Sequence, residues 1–415
     1  MKRTTTPSPR IALAMAGGGP LGAIYEIGAL CALQESLNGI HFNRLQHYVG
    51  VSAGGFIAAG LANGITPMQL FGLFIEDRKR QTEAFDPAWL LQPAFAEFFS
   101  RSLLLPELLL RGAWNSTLGR KSLMRALERL SPSLPTGIFS NAQIDVELRR
   151  LFSRPGRSND FRQLKNRLTL VATHLDSSTA VAFGRPGWDH IPISKAVQAS
   201  AALPGLFPPV EIEGQHFVDG ALIKTMHASI ALDEGVDLML CLNPLVPFDA
   251  SDPVLSSESA TPWAAPEPIP RIADGGLPAV LSQTFRSLIH SRLLLGLKSY
   301  EQAYPNTDIV LIEPDHRDPE LYLANTFSYS QRRHLAEHAY QQTRQLLRSR
   351  QNLAGKLHYH GITLNHAALD DERRHLCPPR RPAARVGRAL TKLHHLMDDL
   401  TQIIQSPERQ GRTTW

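Results

Sequence analysis

The pentapeptide Gly50-Val51-Ser52-Ala53-Gly54 constrains the fold more tightly than any other stretch of this chain. It follows the apolar pair Tyr48-Val49 and leads into Gly55-Phe56-Ile57-Ala58-Ala59, which reads as a buried helix. Small residues on both sides of a serine, at a strand-to-helix junction, permit a sharp and strained turn. A Cβ at Gly50 or Gly54 would collide with neighbouring backbone. The serine oxygen is thereby held at the top of a sheet, as a nucleophile needs.

Two further segments give this turn possible partners. Upstream, Ile11-Ala12-Leu13-Ala14-Met15-Ala16 reads as a buried strand that runs into Gly17-Gly18-Gly19-Pro20-Leu21-Gly22 and then an apolar helix from about residue 23 to 37. Consecutive glycines let backbone N–H groups converge on one point, and the helix N-terminus behind them adds positive potential. That point suits a phosphate, or the oxyanion that forms when a serine attacks an ester. Downstream, His216-Phe217-Val218-Asp219-Gly220-Ala221 reads as a strand ending in an aspartate at a tight turn. If Asp219 meets Ser52, it can take the hydroxyl proton directly. The chain then supplies a nucleophile, a base and an oxyanion hole on three loops at one sheet edge.

Other readings of these motifs fit less well. Gly17-x-Gly19-x-x-Gly22 satisfies a dinucleotide fingerprint, but the next strand ends at Ser52 and not at an acidic residue. No Gly-Lys-Ser/Thr follows, which excludes a P-loop. A Ser–His–Asp hydrolase places several strands before its nucleophile, whereas Ser52 follows the second strand here. Among 16 histidines, His174, His190, His227 and His316 are candidate bases, with His174 and His227 the two to test. His358, His360, His366 and His375 lie in a polar tail without helical ligand spacing, and no metal site is expected there.

The order of glycine-rich loop, Gly50-x-Ser52-x-Gly54 and Asp219-Gly220-Ala221 resembles the patatin-like phospholipase family. The stretch Ala199-Ser200-Ala201-Ala202-Leu203-Pro204-Gly205-Leu206-Phe207-Pro208-Pro209-Val210 is similar to the one preceding that family's catalytic aspartate. The resemblance covers roughly residues 10–232. It implies a three-layer fold, a Ser–Asp dyad acting on lipid acyl esters, no catalytic histidine and no cofactor. Carried onto this chain, Ser52 is the nucleophile, Asp219 the base, and Gly17, Gly18 and Gly19 form the oxyanion hole. Gly22, Gly50, Gly54, Gly220 and Ala221 support the turns. Two departures bear on substrate. Leu21 stands where many members carry Arg or Lys, and Lys224-Thr225-Met226-His227 replaces a stretch that often holds Asn and Pro. Headgroup preference and regiochemistry therefore do not carry over. A lipid-binding protein without turnover, and an acyltransferase on the same dyad, remain the alternatives.

Along the chain, strand-like runs at 11–16, 47–51, 168–174, 237–242 and 308–312 alternate with helical patterns. This predicts an α/β fold with a mostly parallel central sheet sandwiched between helices. Residues 10–232 form the expected catalytic domain, with an apolar insertion at about 81–118. Residues 233–350 complete the sheet and include a Pro/Ser-rich connection at 251–276. Residues 351–415 read as a basic, partly helical tail. Within the insertion, residues 85–111 are rich in Phe and Leu but broken by Pro87, Pro93 and Pro106, which argues against a spanning helix. They suit a packed insertion, or a wall for an acyl chain that touches a bilayer. Arginines at 373, 374, 380, 381, 385 and 388 suit a solvated tail, or attraction to anionic lipid. No aromatic residues interleave them, so no nucleic-acid partner is expected. A stripe of Leu390, Leu393, Leu396, Met397 and Leu400 suits core packing or an oligomer seam, and the oligomeric state is left open. Cys31, Cys241 and Cys377 are too few and scattered for a disulfide framework. The expected location is the cytoplasm, with peripheral membrane contact through 85–111 and the arginine-rich tail.

Overall fold

The computed structural model describes residues 9–76, 136–251, 271–323 and 331–377. The apolar insertion, most of the Pro/Ser-rich connection, the arginines beyond 377 and the leucine stripe lie outside these residues. Described strands are β1 (Ile11–Met15), β2 (Leu37–Asn38), β3 (His47–Val51), β4 (Arg167–His174), β5 (Thr179–Phe183), β6 (Val210–Ile212), β7 (Gln215–Asp219), β8 (Leu238–Leu242), β9 (Asp308–Ile312) and β10 (Thr363–Leu364). The helices between them are α1 (Gly19–Ser36), α2 (Ser52–Ala62), α3 (Pro67–Phe74), α4 (Ala142–Phe152), α5 (Ile193–Ser200), α6 (Ser229–Leu232), α7 (Gly276–Ala303), α8 (Pro319–Leu323), α9 (Arg332–Ser349), α10 (Gln351–Tyr359) and α11 (His366–Leu369).

The main sheet runs β6-β7-β4-β3-β1-β8-β9, with β5 paired to β4. Five strands, β4, β3, β1, β8 and β9, run parallel to one another. β5, β6 and β7 are antiparallel additions around β4. The chain thus has the mixed, mostly parallel sheet flanked by helices that its alternating pattern predicts. β1, β3 and β8 are buried at every position, as a sheet covered on both faces requires. Alternate residues part to opposite faces. Ala12, Ala14, Val49, Met239 and Cys241 pack against residues 226–236 and against Leu293 and Leu297 of α7. On the other face α2 lies close enough that a Cβ on Gly50 would sit 2.5 Å from the Gly55 Cα. A third layer forms where α1 meets α9, and a Cβ on Gly28 would fall 2.4 Å from the Ala336 carbonyl oxygen.

Two boundaries differ from those read in the sequence. α1 starts at Gly19, earlier than expected, because Pro20 in its first turn is preset to helical φ. Residues 351–376, polar and basic on average, form α10, β10 and α11. β10 pairs with β2, and Leu353, Leu357, Ile362, Leu369 and Leu376 are buried. β6 and β7 form a hairpin around Glu213-Gly214, where both residues have positive φ, as a two-residue turn of this hand requires. Among the described residues, no helix is long and apolar enough to cross a membrane.

Candidate active site

Strand register brings Ser52 and Asp219 together. β3 pairs with β4 up to Val51 against Val171. β7 pairs with β4 from the next position, with Asp219 against Ala172. Ser52 therefore leaves the sheet at the row where Asp219 arrives. The Ser52 hydroxyl lies beside the Asp219 carboxyl, where it favours the ionised form. Both are buried, Asp219 at 2% exposure and Ser52 at 7%.

Ser52 opens α2 with φ +54°, a left-handed conformation that a non-glycine residue adopts at a penalty of roughly 1–3 kcal/mol. Surrounding contacts hold it there. Its N–H donates to the Ser200 hydroxyl at 2.8 Å, and that hydroxyl donates to the Val171 carbonyl at 2.6 Å. Ser200 ends α5 and is fully buried. One side chain thus ties the Ser52 turn to β4. Gly50 and Gly54 leave room for the turn. A Cβ on Gly54 would lie 2.5 Å from the Ala16 carbonyl oxygen, so only glycine lets α2 press onto the end of β1.

Asp219 ends β7 and caps the short 3₁₀ turn Gly220–Leu222, accepting the Ala221 N–H at 2.9 Å. Its own N–H donates to the Ala202 carbonyl, and its carbonyl accepts from the Thr173 hydroxyl at 2.9 Å. Gly220 crosses β4 so closely that a Cβ would meet the Val171 carbonyl oxygen at 2.2 Å. Burial pushes the Asp219 carboxyl up to about 6, partly offset by the Ala221 N–H and the Ser52 hydroxyl.

The glycine segment lies against the same point. A Cβ on Gly17 would approach Ser52 Cβ to 3.0 Å, Ala221 Cβ to 3.5 Å and Ser52 Oγ to 3.6 Å. Gly18 caps α1, and both it and Gly22 pack on Pro244, which follows β8. Gly19 has φ +62° and opens α1. Leu21 is buried, so the side chain at this position of the glycine segment faces protein.

Among the described residues, no histidine hydrogen-bonds Ser52 or Asp219. His174 bonds Ser177, His190 pairs with Glu213, and His316 lies beside Glu313. His227 is buried with φ +50°, faces the Gly220 carbonyl at 3.3 Å, and is pushed down to about 4 by burial. Thr225 bonds the Ile289 carbonyl and Met226 enters the core, so the Lys224-Thr225-Met226-His227 segment ties the aspartate turn to α7. A cleft of about 510 Å³ between β9 and α10 contains none of the dyad or glycine-segment residues.

Ser200, Thr173 and Pro244 are site neighbours that the motifs alone do not single out. Ser200 belongs to the 199–210 stretch that resembles the family. Its signal is a small polar residue at the end of an apolar helix, and only the fold reveals what it bonds.

A family model described as patatin-like phospholipase matches residues 13–232, more than half of the chain. Among solved structures, VipD from Legionella pneumophila is 17% identical with a TM-score of 0.37, covering 83% of this chain and 67% of that one. The type III effector protein ExoU is 14% identical with a TM-score of 0.33, covering 98% and 67%. Human GIVD cytosolic phospholipase A2 is 14% identical with a TM-score of 0.22, covering 57% and 40%.

Proposed function

Because the chain belongs to the patatin-like phospholipase family, whose membership supports lipid ester hydrolysis, we propose that it works through an acyl-enzyme on Ser52 with Asp219 as base. The observation that carries this reading is the juxtaposition, at one row of the sheet, of a serine in a strained turn and a carboxyl, both buried. Ser52 Oγ attacks the ester carbonyl carbon and its proton passes to Asp219. The tetrahedral oxyanion is met by N–H groups of Gly17, Gly18 and Gly19, in the field of the α1 N-terminus. Collapse expels the alcohol, which takes the proton back from Asp219. Water then attacks the acyl-enzyme with its proton passing to Asp219, and collapse releases the fatty acid as Ser52 Oγ takes that proton back. No cofactor enters these steps.

A carboxyl near 6 suits the base role. It is largely ionised at neutral pH, yet more basic than an exposed aspartate. A buried Leu21 disfavours strongly anionic headgroups as the main recognition element. The substrate class proposed is therefore acyl esters of lipids. The test is hydrolysis of a p-nitrophenyl acyl ester and of a lysophospholipid. Ser52→Ala is expected to abolish both while leaving the circular dichroism spectrum intact. Unchanged turnover would remove Ser52 from the mechanism. Fatty-acid binding without turnover in the unmodified protein would favour a binding role, and acyl transfer to an added alcohol would favour an acyltransferase.

A further inference from the structure

We propose that His290, Glu313 and His316 form a binding site for one divalent first-row transition metal ion, zinc being the simplest probe. The inference is independent of the reaction proposed for Ser52. His290 lies on α7, Glu313 directly follows β9, and His316 sits three residues further on. Sequence spacing does not announce the group, since its members come from a helix and from the turn after a strand.

The donor atoms of all three lie within 4.8 Å of one another. His290 Nε2 is 3.3 Å from Glu313 Oε2, and His316 Nε2 is 3.7 Å from Glu313 Oε1. Metal–nitrogen and metal–oxygen bonds of about 2.0–2.1 Å in a tetrahedron place neighbouring donors about 3.3 Å apart. His290 Nε2 and Glu313 Oε2 are therefore at the needed spacing already, while His316 Nε2 approaches the other oxygen of the same carboxylate. The remaining gap closes by rotation of His316, whose side chain is 37% exposed, while His290 and Glu313 are held at 8% and 14%. The two rings meet edge to face, 4.7 Å between centroids, and each presents its Nε2 to the Glu313 carboxylate.

The surroundings are built to orient the carboxylate. Asn243, fully buried and directly after β8, donates its side-chain N–H to Glu313 Oε2 at 3.0 Å. Its backbone N–H donates to the Ile312 carbonyl, and its side-chain oxygen accepts from Leu245 N–H. Metal-binding carboxylates characteristically have such outer hydrogen bonds. Nearby positive charge is directed elsewhere. Arg286 donates to the Val246 carbonyl and lies over the Tyr322 ring, while Arg317 bonds Asp315. Two imidazoles with one carboxylate suit zinc, cobalt or iron(II) rather than calcium or magnesium, which take all-oxygen sites. The residue after Asn243 is Pro244, against which Gly18 and Gly22 pack. An ion at this position would therefore brace the segment behind the glycine turn.

The experiment uses untagged full-length protein stripped with a chelator. Zinc chloride is titrated by calorimetry, and cobalt(II) is followed by its visible absorption. The expected result is one ion per chain, with intense cobalt bands of a four- or five-coordinate nitrogen/oxygen site and no competition from magnesium. His316→Ala, at a half-exposed position that leaves the core alone, is expected to weaken binding by at least about 100-fold. Asn243→Ala is expected to weaken it by about 10–100-fold. Glu313→Gln should act as His316→Ala does, and if it fails to fold, His316→Ala decides alone. No stoichiometric uptake would overturn the proposal. So would zinc affinity unchanged in His316→Ala, which would place the ion on other histidines such as His358 or His375.

Discussion

Replacing Ser200 with alanine probes how the turn at Ser52 is held. The hydroxyl accepts the Ser52 N–H at 2.8 Å and donates to the Val171 carbonyl at 2.6 Å, in a fully buried position. Its removal leaves a dry backbone N–H without its partner, at about 1–3 kcal/mol. It also takes a short bond from a strand carbonyl, worth about 0.5–1.5 kcal/mol. The combined loss is about 1.5–4.5 kcal/mol if no water enters. The strain at Ser52, roughly 1–3 kcal/mol, is of the same size as the bond opposing it. Relaxation of φ toward the ordinary helical region is therefore expected to compete with folding in place. Movement of the hydroxyl by about 1 Å costs on the order of 100-fold in turnover. The assay is paired thermal unfolding and p-nitrophenyl ester kinetics. A lower unfolding midpoint with a fall in kcat and little change in KM is the expected pattern, because the substrate-binding surface is left alone. A variant with the parent's midpoint and kcat would show that Ser200 does not hold the turn, and the account of its strain would be wrong.

Two further expectations follow from buried carboxyls. Activity should rise with pH through an apparent pKa near 6 as Asp219 ionises, and Asp219→Asn should lose about 10²–10⁴-fold in kcat/KM; a flat profile between pH 5 and 8 in the parent would contradict the assignment. Glu26 in α1 is buried with neither carboxyl oxygen hydrogen-bonded, and burial holds its pKa well above the ordinary value, so its neutral form favours the fold at low pH and that contribution is lost as pH rises from the ordinary carboxyl range toward the folded-state value. Glu26→Gln should flatten that decline in the unfolding midpoint with rising pH, and an unaltered pH dependence would mean the carboxyl is solvated.

The parts of the site that are consecutive in sequence are legible from the residues themselves. Gly50 through Gly54, the glycine segment and Asp219-Gly220-Ala221 each encode a local turn, and small residues mark where backbones approach. The strand order is legible only in outline. Alternation predicts parallel strands, but that β7 takes over pairing with β4 at Ala172, one step beyond β3, is a matter of register. Register depends on contacts between segments that no local pattern encodes. Ser200 is hidden for the same reason, since its two partners lie 148 and 29 residues away. Residues 351–376 are hidden by their average polarity. Leucines spaced along α10 and at the end of α11 bury themselves beneath a charged exterior, and composition averages the two faces together. The His290, Glu313 and His316 group needs a helix and a strand end to be folded before it exists at all.

The pairing of Ser52 with Asp219 is tested most directly by covalent capture. The parent, Ser52→Ala and Asp219→Asn proteins are each incubated with a fluorophosphonate at neutral pH, and the modified residue is mapped by peptide mass spectrometry. A single phosphonyl adduct on Ser52 in the parent, absent in Ser52→Ala and formed much more slowly in Asp219→Asn, is the predicted outcome. Ester hydrolysis accompanied by an adduct on another serine, or capture at Ser52 as fast in Asp219→Asn as in the parent, would contradict it.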